Sequence, residues 1–549
     1  MDKIIQCHLD AFIHAQELEL IQYTINLTKD QKFGDYTSNF CFVYAKLLHK
    51  NPEIIAQDLI AFLKQNYASF YSDIQFVKPG FINFYLKSKL NSVLLKKILD
   101  EKEAYPIYEN NKKRINIEFV SANPTGKLHL AHAYAAIFGM SLVRVFNQLG
   151  FNIQKEYYIN DAGNQITLLA LSVFIRYLNF LNIKQELYEE CYHGPEIIEC
   201  AKALYEKYHD EFKNIKFDEN KILDPEVNEI IKEFSKNYML NMIKEDLNEI
   251  GVTFDLWTSE KSLYETKQVQ KVIDELKRLN QVYIQEDALW LKSKQYGDDK
   301  DRVLIKKNQE YTYLVPDIAL HVNKLLRNFD EYYNIWGMDH HGYIARLKIA
   351  LEMLGYKKTF EVLSIQVMKL VKDGVDFKLS KRAGTSLTLQ ELIKHIGKDE
   401  LKWICTSFQT SSHKVVDVTK ITTHDNSNPL FYVEYAYARI YGILNKNNFL
   451  LNKNHQFINE EDESIIEIVN ELSLYDQTLW NVIKNKETQI LNNYLYKLAN
   501  KIHEFYNKVN ICNLSNETRK NNLLHILYAT SIILKNGLKL LGINAYEKM

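Results

Sequence analysis

The sequence has no CxxC pair, few turn-forming residues and no long apolar run. Its six cysteines are scattered, which argues against a zinc ribbon or a disulfide framework and favours a reducing, cytoplasmic location. No stretch approaches about 18 uninterrupted apolar residues, and the N-terminus alternates charged and apolar residues too finely for a signal peptide. We therefore expect a soluble protein that is neither exported nor held in a membrane.

An excess of one charge sign is also missing. The 68 Lys and Arg residues balance 69 Asp and Glu residues, which gives a net charge of −1 and excludes a polycation. An anionic partner must then be held by a local patch. With only 18 Gly and 8 Pro in 549 residues, the sequence predicts long helices joined by short loops.

The pattern along the chain predicts three domains. Residues 1–106 mix amphipathic helical stretches with a glycine-punctuated strand pattern, VKPGFINFYL, which indicates a small α+β domain. Residues 107–415 open with RINIEFV, SANPTGK and a helix-forming stretch, the βα unit of a nucleotide-binding sheet, and about 166–250 is predicted to be a helical insertion. Residues 416–549 are almost entirely helical in pattern and predict a bundle.

The segment HLAH places His129 and His132 on one face at the start of a predicted helix. Helix amides and the positive end of the helix dipole suit a bound triphosphate there. Two ordinary helix histidines, or half of a metal site, are the alternatives. No third ligand follows at metal spacing, which lowers the metal alternative.

A second segment, KLSKRAGT, carries Lys378, Ser380 and Lys381 on a glycine-terminated basic loop. Ammonium groups on such a loop can close on phosphates as charge develops during nucleotidyl transfer. A solvated basic loop is the alternative. This loop alone is a weak sign of nucleotide chemistry. The loop together with the HxxH helix start, which lies upstream in the same α/β region, indicates that chemistry more strongly.

HLAH and KLSK resemble the two signature motifs of class I aminoacyl-tRNA synthetases. The surrounding text resembles bacterial-type arginyl-tRNA synthetases, in the order of that family, from Gly34 to the last residue: EFVSANPTGKLHLAH, EYYINDAGNQI, YNIWGMDHHGY, KLVKDGVDFKLSKRAGTSLTL, NPLFYVEYAYARI and NGLKLLGINAYEKM. Two departures stand out, Ala131 where the family usually has glycine and Pro316 where it usually has arginine. Both signatures keep their histidines and lysines, so we interpret the departures as lineage differences.

The resemblance implies an α/β fold: a Rossmann-like class I catalytic domain with a helical insertion, an N-terminal α+β domain and a C-terminal helical bundle. It implies a monomeric enzyme that activates L-arginine with ATP and Mg²⁺, without a metal site of its own, and transfers it to the terminal adenosine of tRNA(Arg). The alternative from another class is a non-catalytic tRNA-binding relative that keeps the fold.

A guanidinium ion needs carboxylates or neutral acceptors in its plane. Glu118 and Asp317 are acids beside apolar stretches, where a carboxylate is costly unless it is paired, and an internal Lys or Arg is the alternative partner. The resemblance implies further roles. The arginine side chain is held by Glu118, Tyr313 and Asp317, and its amino and carboxylate groups are oriented by Ser121 and Asn123. The ATP wall contains Ala131, Gly337, Asp339 and His340, and tRNA contacts fall among Asn39, Tyr435, Tyr437 and Arg439.

Overall fold

A computed structural model of the chain describes residues 2–28, 30–68, 70–86, 92–109, 111–338, 341–357, 360–366, 368–377, 387–458, 460 and 462–549. Five candidate residues, Asp339, His340, Lys378, Ser380 and Lys381, lie outside these ranges. Among the described residues, no helix is both long enough and apolar enough to cross a bilayer.

The elements are numbered here in chain order. The helices are α1 (Asp2–Ala15), α2 (Phe40–Leu48), α3 (Pro52–Asn66), α4 (Ser92–Glu101), α5 (Leu130–Gln148), α6 (Asn164–Phe180), α7 (Pro195–Tyr208), α8 (Pro225–Glu249), α9 (Glu260–Glu265), α10 (Gln268–Arg278), α11 (Leu314–Leu326), α12 (His341–Met353), α13 (Leu389–Ile396), α14 (Lys398–Thr406), α15 (Val418–Ile421), α16 (Pro429–Lys446), α17 (Glu463–Ser473), α18 (Tyr475–Asn485), α19 (Gln489–Lys508) and α20 (Glu517–Leu541). The strands are β1 (Ile25–Leu27), β2 (Tyr36–Ser38), β3 (Tyr71–Val77), β4 (Phe81–Leu86), β5 (Arg114–Glu118), β6 (Asn152–Ile159), β7 (Leu256–Ser259), β8 (Val282–Gln285), β9 (Ala288–Leu291), β10 (Arg302–Ile305), β11 (Glu331–Gly337), β12 (Glu361–Ile365), β13 (Met368–Lys372), β14 (Val375–Asp376) and β15 (Lys414–Asp417).

The chain divides into two compact units. The first unit contains Met1–Tyr105, Arg439–Tyr475 and Leu498–Ile533, and the second contains Pro106–Ala438, Asp476–Lys497 and Leu534–Met549. In the first unit an antiparallel sheet of order β1-β2-β4-β3 packs with α1, α2 and α3 around a core that includes Leu9, Phe40 and Leu59. The predicted α+β character of the N-terminal region is therefore confirmed.

The second unit is built on a parallel five-stranded sheet of order β12-β11-β5-β6-β7. Its central strand, β5, is buried from Ile115 to Glu118, as expected for a parallel strand covered on both faces. The chain runs outward from β5 to β6 and β7 on one side, and later to β11 and β12 on the other. The order therefore reverses beside β5, and ligands in open α/β folds bind at the carboxyl ends of strands at such a point.

Helices α6, α7 and α8 form the predicted helical insertion, with a core that includes Leu169, Phe174 and Leu204. Cys191 and Cys200 are buried in that core, and burial raises the pKa of the Cys200 thiol to about 12. These two cysteines therefore belong to the core of the insertion. Among the residues that the structure describes, no group of three or more His, Cys, Asp or Glu side chains could hold a metal ion.

Strand β15 lies where the sequence predicts that the helical region begins. It pairs in parallel with β13, from Met368 opposite Lys414 to Val371 opposite Asp417. The four residues Lys, Val, Val and Asp are too few to predict a strand from sequence alone. Their extended conformation depends on pairing with the neighbouring strand. The second unit also contains Asp476–Lys497 and Leu534–Met549, so its fold uses chain from the helical C-terminal region.

Candidate active site

A cavity of about 330 Å³ lies at the carboxyl ends of β5, β6, β11 and β12. It brings together seven of the residues singled out in the sequence: Glu118, Ser121, Asn123, Ala131, His132, Asp317 and Gly337. Residues that the sequence did not single out also line it, among them Tyr134, Tyr158, His321, Trp336, Tyr343 and Gln366. The cavity therefore occupies the place that the strand order predicts for a ligand.

The predicted histidine pair opens helix α5 beside this cavity. His129 is the N-cap residue, its backbone N–H donates to Nδ1 of His132 at 3.4 Å, and the two ring centroids are 3.8 Å apart. Burial lowers the pKa of both rings, and for His132 burial together with the neighbouring His129 lowers it to about 4. At neutral pH the rings are therefore uncharged, and they can act as hydrogen-bond donors beside the helix amides.

Residues on either side of the basic motif are described. The N–H of Phe377 donates to the carbonyl of Leu370 at 2.9 Å. Thr388 forms a β-bridge with His129, and the N–H of Leu389 donates to the carbonyl of Leu128 at 2.7 Å. The chain at Thr388 therefore lies beside the start of α5, while Lys378, Ser380 and Lys381 lie outside the described ranges.

Asp317 is an enclosed acid on α11 at the cavity wall. Burial raises the pKa of its carboxyl group to about 7, opposed by a hydrogen bond from the Tyr343 hydroxyl and reinforced by the charges of Glu260 and Glu118. An acid held near its point of ionisation can be drawn into the charged form by a bound cation. This is the behaviour required of a group that receives a guanidinium ion.

Glu260 is a site residue that the sequence did not single out. It is buried at the first position of α9, burial raises the pKa of its carboxyl group, and it accepts a hydrogen bond from Tyr158. Its position directly after β7, at the carboxyl edge of the same sheet, is the sequence feature from which Glu260 could have been predicted to lie near the site. Asp317 lines the 330 Å³ cavity and Glu260 lines a neighbouring cavity of about 920 Å³, and the two acids interact electrostatically.

Glu118 ends β5 and is only 3% exposed. One of its carboxylate oxygens is in contact with the ammonium group of Lys324, and the other accepts a hydrogen bond from Ser121 at 3.3 Å. The internal partner named as an alternative for Glu118 is therefore present, while Glu118 still lines the cavity. Val120 and Ser121 have φ of +71° and +41°, a strained turn for side chains with a Cβ, and the turn places Ser121 where it also accepts the N–H of Tyr158 at 3.1 Å.

Tyr313 does not line the 330 Å³ cavity. It is 80% exposed and lines a neighbouring cavity of about 920 Å³ together with Asp161, Glu260 and Pro316. Pro316 is the third residue of α11, where a backbone N–H lacks an intrahelical partner, so the proline breaks no helical hydrogen bond. Ala131, the second residue of α5, lines the smaller cavity with its methyl group.

Four residues were predicted to contact RNA. Asn39 accepts the N–H of Thr24 at 2.8 Å, and Tyr435 is partly exposed and stacked on Phe431 with centroids 5.7 Å apart. The guanidinium carbon of Arg439 lies 4.4 Å from the ring centroid of Tyr506. Tyr437 is a correction: it is 1% exposed, so its ring belongs to the core and has no face on which a base can stack.

Comparison with known proteins gives three family matches along the chain. Residues 1–86 match the arginyl tRNA synthetase N terminal domain, residues 94–423 match the class I (R) tRNA synthetase catalytic domain, and residues 433–549 match the DALR anticodon binding domain.

Two relatives and one solved structure illustrate the similarity. The arginine–tRNA ligase of Malacoplasma penetrans is 40% identical over 539 residues, which are 96% of this chain and 95% of that protein. The arginine–tRNA ligase of Bacillus subtilis is 37% identical over 540 residues, with 97% and 96% covered. The fold matches that of Thermus thermophilus arginyl-tRNA synthetase with a TM-score of 0.74 at 17% identity, over 100% of both chains. These matches agree with the sequence motifs, the parallel sheet and the position of the cavity. The chain belongs to the arginyl-tRNA synthetase family of class I aminoacyl-tRNA synthetases.

Proposed function

We propose that this chain is an arginine–tRNA ligase, which activates L-arginine with ATP and transfers it to the terminal adenosine of tRNA(Arg). The observation that carries the proposal is one cavity at the sheet switch point, with the enclosed acid Asp317 on one wall and the histidine-capped start of α5 on another. An acidic pocket beside a phosphate-binding helix start matches a cationic amino acid and a nucleotide that must react with each other.

In the first step the arginine carboxylate attacks the α-phosphorus of ATP and pyrophosphate leaves. His129 and His132 donate hydrogen bonds to phosphate oxygens from the mouth of α5, and Lys378, Ser380 and Lys381 close on the departing pyrophosphate. Ala131, Gly337, Asp339 and His340 form the nucleotide wall. Catalysis is then positioning and charge stabilisation, with no covalent enzyme intermediate.

Recognition of the amino acid rests on the acids. Asp317 and Glu260 receive the guanidinium ion, and Glu118, Ser121 and Asn123 complete the pocket around the substrate. Tyr313 lines the neighbouring cavity of about 920 Å³, together with Glu260. We assign that cavity to the terminal adenosine, whose ribose hydroxyl attacks the arginyl carbonyl in the second step while AMP leaves.

Mg²⁺ enters with ATP, because phosphate oxygens are the hard ligands that it prefers. The described side chains offer no cluster of three ligands for it, and no step is assigned to an ion held by the protein.

We propose the domain division 1–106, 107–415 and 416–549 for a monomeric, cytoplasmic enzyme. The first domain contacts the tRNA through Asn39, and the last reads the anticodon through Tyr435 and Arg439. The partial exposure of Tyr435 and of Arg439 supports these assignments. The non-catalytic alternative is less well supported, because the histidines and the acid pair are all present.

Arginine-dependent exchange of pyrophosphate into ATP tests the function. Exchange should be specific for arginine and should appear only when tRNA is present, as the family resemblance implies. Absence of exchange with both tRNA and arginine supplied would favour the non-catalytic alternative, and equal exchange without tRNA would refute the tRNA requirement alone.

A further inference from the structure

Lys324 is a buried cation at the wall of the arginine pocket. It lies on α11, seven residues after Asp317, and is 1% exposed. Its ammonium group contacts the Glu118 carboxylate and lies 3.4 Å from Oδ1 of Asn334. Asn334 is the residue of β11 directly opposite Glu118 in the sheet register, so the cation sits at the junction of helix and sheet.

The same helix end carries a second ion pair that serves as a comparison. Arg327 donates to Glu156 at 2.6 Å, and Glu156 also accepts from Asn116 at 2.8 Å. Glu156 is fully buried on β6 and does not line the cavity. Two basic residues one turn apart therefore each hold a buried carboxylate of the sheet, and only the partner of Lys324 faces the pocket.

The charges of the pocket explain why this difference matters. Glu118 and Asp317 line the same cavity, and the charges of Glu118 and Glu260 both act on Asp317. A buried carboxylate that loses its partner takes up a proton or turns away, because an unpaired charge in the interior is costly. The contact with Lys324 holds one carboxylate oxygen of Glu118 in place, and the second oxygen accepts a hydrogen bond from Ser121.

We propose that Lys324 is a positioning residue for arginine: its contact holds Glu118 in place and directed at the pocket, and it leaves Asp317 and Glu260 as the pair that receives the guanidinium ion. Lys324 contacts Glu118 and does not touch the substrate. Its charge also acts on Asp317, where it opposes the rise of the pKa. This inference rests on the proposed function, and it identifies Lys324 as a residue that sets the affinity of the enzyme for arginine.

The test compares four variants of the full-length chain with the wild type, in pyrophosphate exchange with tRNA present. Lys324→Met removes the charge at similar length, Glu118→Gln removes its partner, and the double variant removes both. Arg327→Met is the matched control, since it breaks the other ion pair of the same helix. For each variant the KM values for arginine and ATP are measured separately, with a thermal melt to verify folding.

We expect Lys324→Met to raise the arginine KM by roughly tenfold or more, the usual scale for a lost interaction with a charged group, and to change the ATP KM by no more than about twofold. Arg327→Met should lower the melting temperature and leave the arginine KM within about twofold. The double variant should lie much closer to Glu118→Gln than to the product of the two single effects, because the contact that positions the Glu118 carboxylate is absent from both variants.

Three results would overturn the proposal. An unchanged arginine KM in Lys324→Met is one, an equal rise in both KM values is another, and a double variant whose KM is the product of the two single effects is the third. If Lys324→Met does not fold, the double variant still decides, since it leaves no lone buried charge and is compared with Glu118→Gln alone. Loss of exchange in the wild type would instead refute the proposed function.

Discussion

Asp317 is the residue on which the chemistry of the pocket depends most directly. Its carboxyl group is enclosed, and burial raises its pKa to about 7. A protonated Asp317 is a poor partner for a guanidinium ion, and an ionised one is costly until that ion arrives. Binding and ionisation are therefore linked at this residue.

Arginine affinity should rise with pH around neutrality. With a pKa of about 7, Asp317 is mostly protonated at pH 6 and mostly ionised at pH 8, so the dissociation constant for arginine should fall by about tenfold over that range. Calorimetric titration at several pH values measures this. Asp317→Asn should bind arginine weakly with a flat pH profile, and it should lose far less affinity for citrulline, which is uncharged. Normal binding of arginine by this variant would make Asp317 a structural residue.

His132 leads to a prediction about stability. Its pKa is lowered from 6.5 to about 4. At pH values between these two, this histidine is protonated in the unfolded chain and neutral in the folded chain. Stability is therefore full above pH 6.5 and falls as the pH approaches 4, by at most about 3 kcal/mol from this group. His132→Gln should flatten melting temperature against pH in this window. Replacement of His14, exposed on α1, is the control and should leave the curve unchanged.

The sequence identified part of the site at the residue scale. Glu118 and Asp317 were singled out as acids beside apolar stretches, and the family resemblance implied their role. Lys324 was not singled out, since it belongs to no local pattern, and Glu260 was not, although it directly follows β7. Lys324 meets Glu118 across 206 positions of the chain, and only the folded register of β5 and β11 brings them together.

At the scale of elements, the start of α5 is joined to the chain that enters α13. The chain that follows the loop is bridged to His129 through Thr388, and Thr388 then caps α13 in a capping box with Glu391. These contacts place the chain at Thr388 beside the histidine pair. In the proposed function, the lysines of the basic motif act on the leaving pyrophosphate.

Lys381→Ala should lower the rate of adenylate formation by about 2–4 kcal/mol of transition-state stabilisation, with the arginine KM nearly unchanged, because the charge that it meets develops during the reaction. Single-turnover kinetics separates the rate from ATP binding. Lys394→Ala, an exposed lysine on the adjoining α13, is the matched control and should behave as wild type. An effect of Lys381→Ala confined to ATP binding would contradict this role.

Elements with strong local patterns were predictable, and those that depend on a neighbour were not. Strand β5 and helix α5 follow from a β-branched run, a Pro and Gly turn, and a helical pattern after His129. Strand β15 was missed because its four residues become extended only by pairing with β13. The same physical reason places chain from the C-terminal region in the second unit, since buried contacts do not follow sequence order.

At the scale of the whole molecule, removal of the helical C-terminal region should destabilise the second unit. Within that unit Thr410 donates to Glu487 at 2.8 Å, Thr488 donates to the carbonyl of Thr406 at 3.0 Å, and Lys402 donates to the carbonyl of Gly542 at 2.7 Å. A chain that ends after residue 428 lacks one partner of each of these three hydrogen bonds, and it also loses buried apolar surface. Its melting temperature should therefore be lower, and its thermal transition broader, than those of the full chain. A melting curve equal to that of the intact protein would show that the unit is independent of this region.

The balance of charge over the molecule decides how tRNA is held. A net charge of −1 provides no overall attraction, so affinity must come from local basic side chains and from stacking. Log affinity for tRNA should fall linearly with log salt concentration, with a slope set by the number of phosphates neutralised. The contribution of base stacking to tRNA affinity is almost independent of salt concentration, so it should leave this slope unchanged.

Two tyrosines of helix α16 allow the separation to be measured. Tyr435→Ala should cost about 1–3 kcal/mol of tRNA affinity at every salt concentration, with the slope unchanged and the melting temperature nearly so, because its ring is partly exposed. Tyr437→Ala, two residues along the same helix, removes a ring that is 1% exposed, so it should lower the melting temperature by leaving a cavity. Filter binding across a salt series, with melts of both variants, distinguishes the two effects. If Tyr435→Ala changes the salt slope, or if it lowers the melting temperature as much as Tyr437→Ala does, then Tyr435 is a packing residue and the anticodon is read elsewhere.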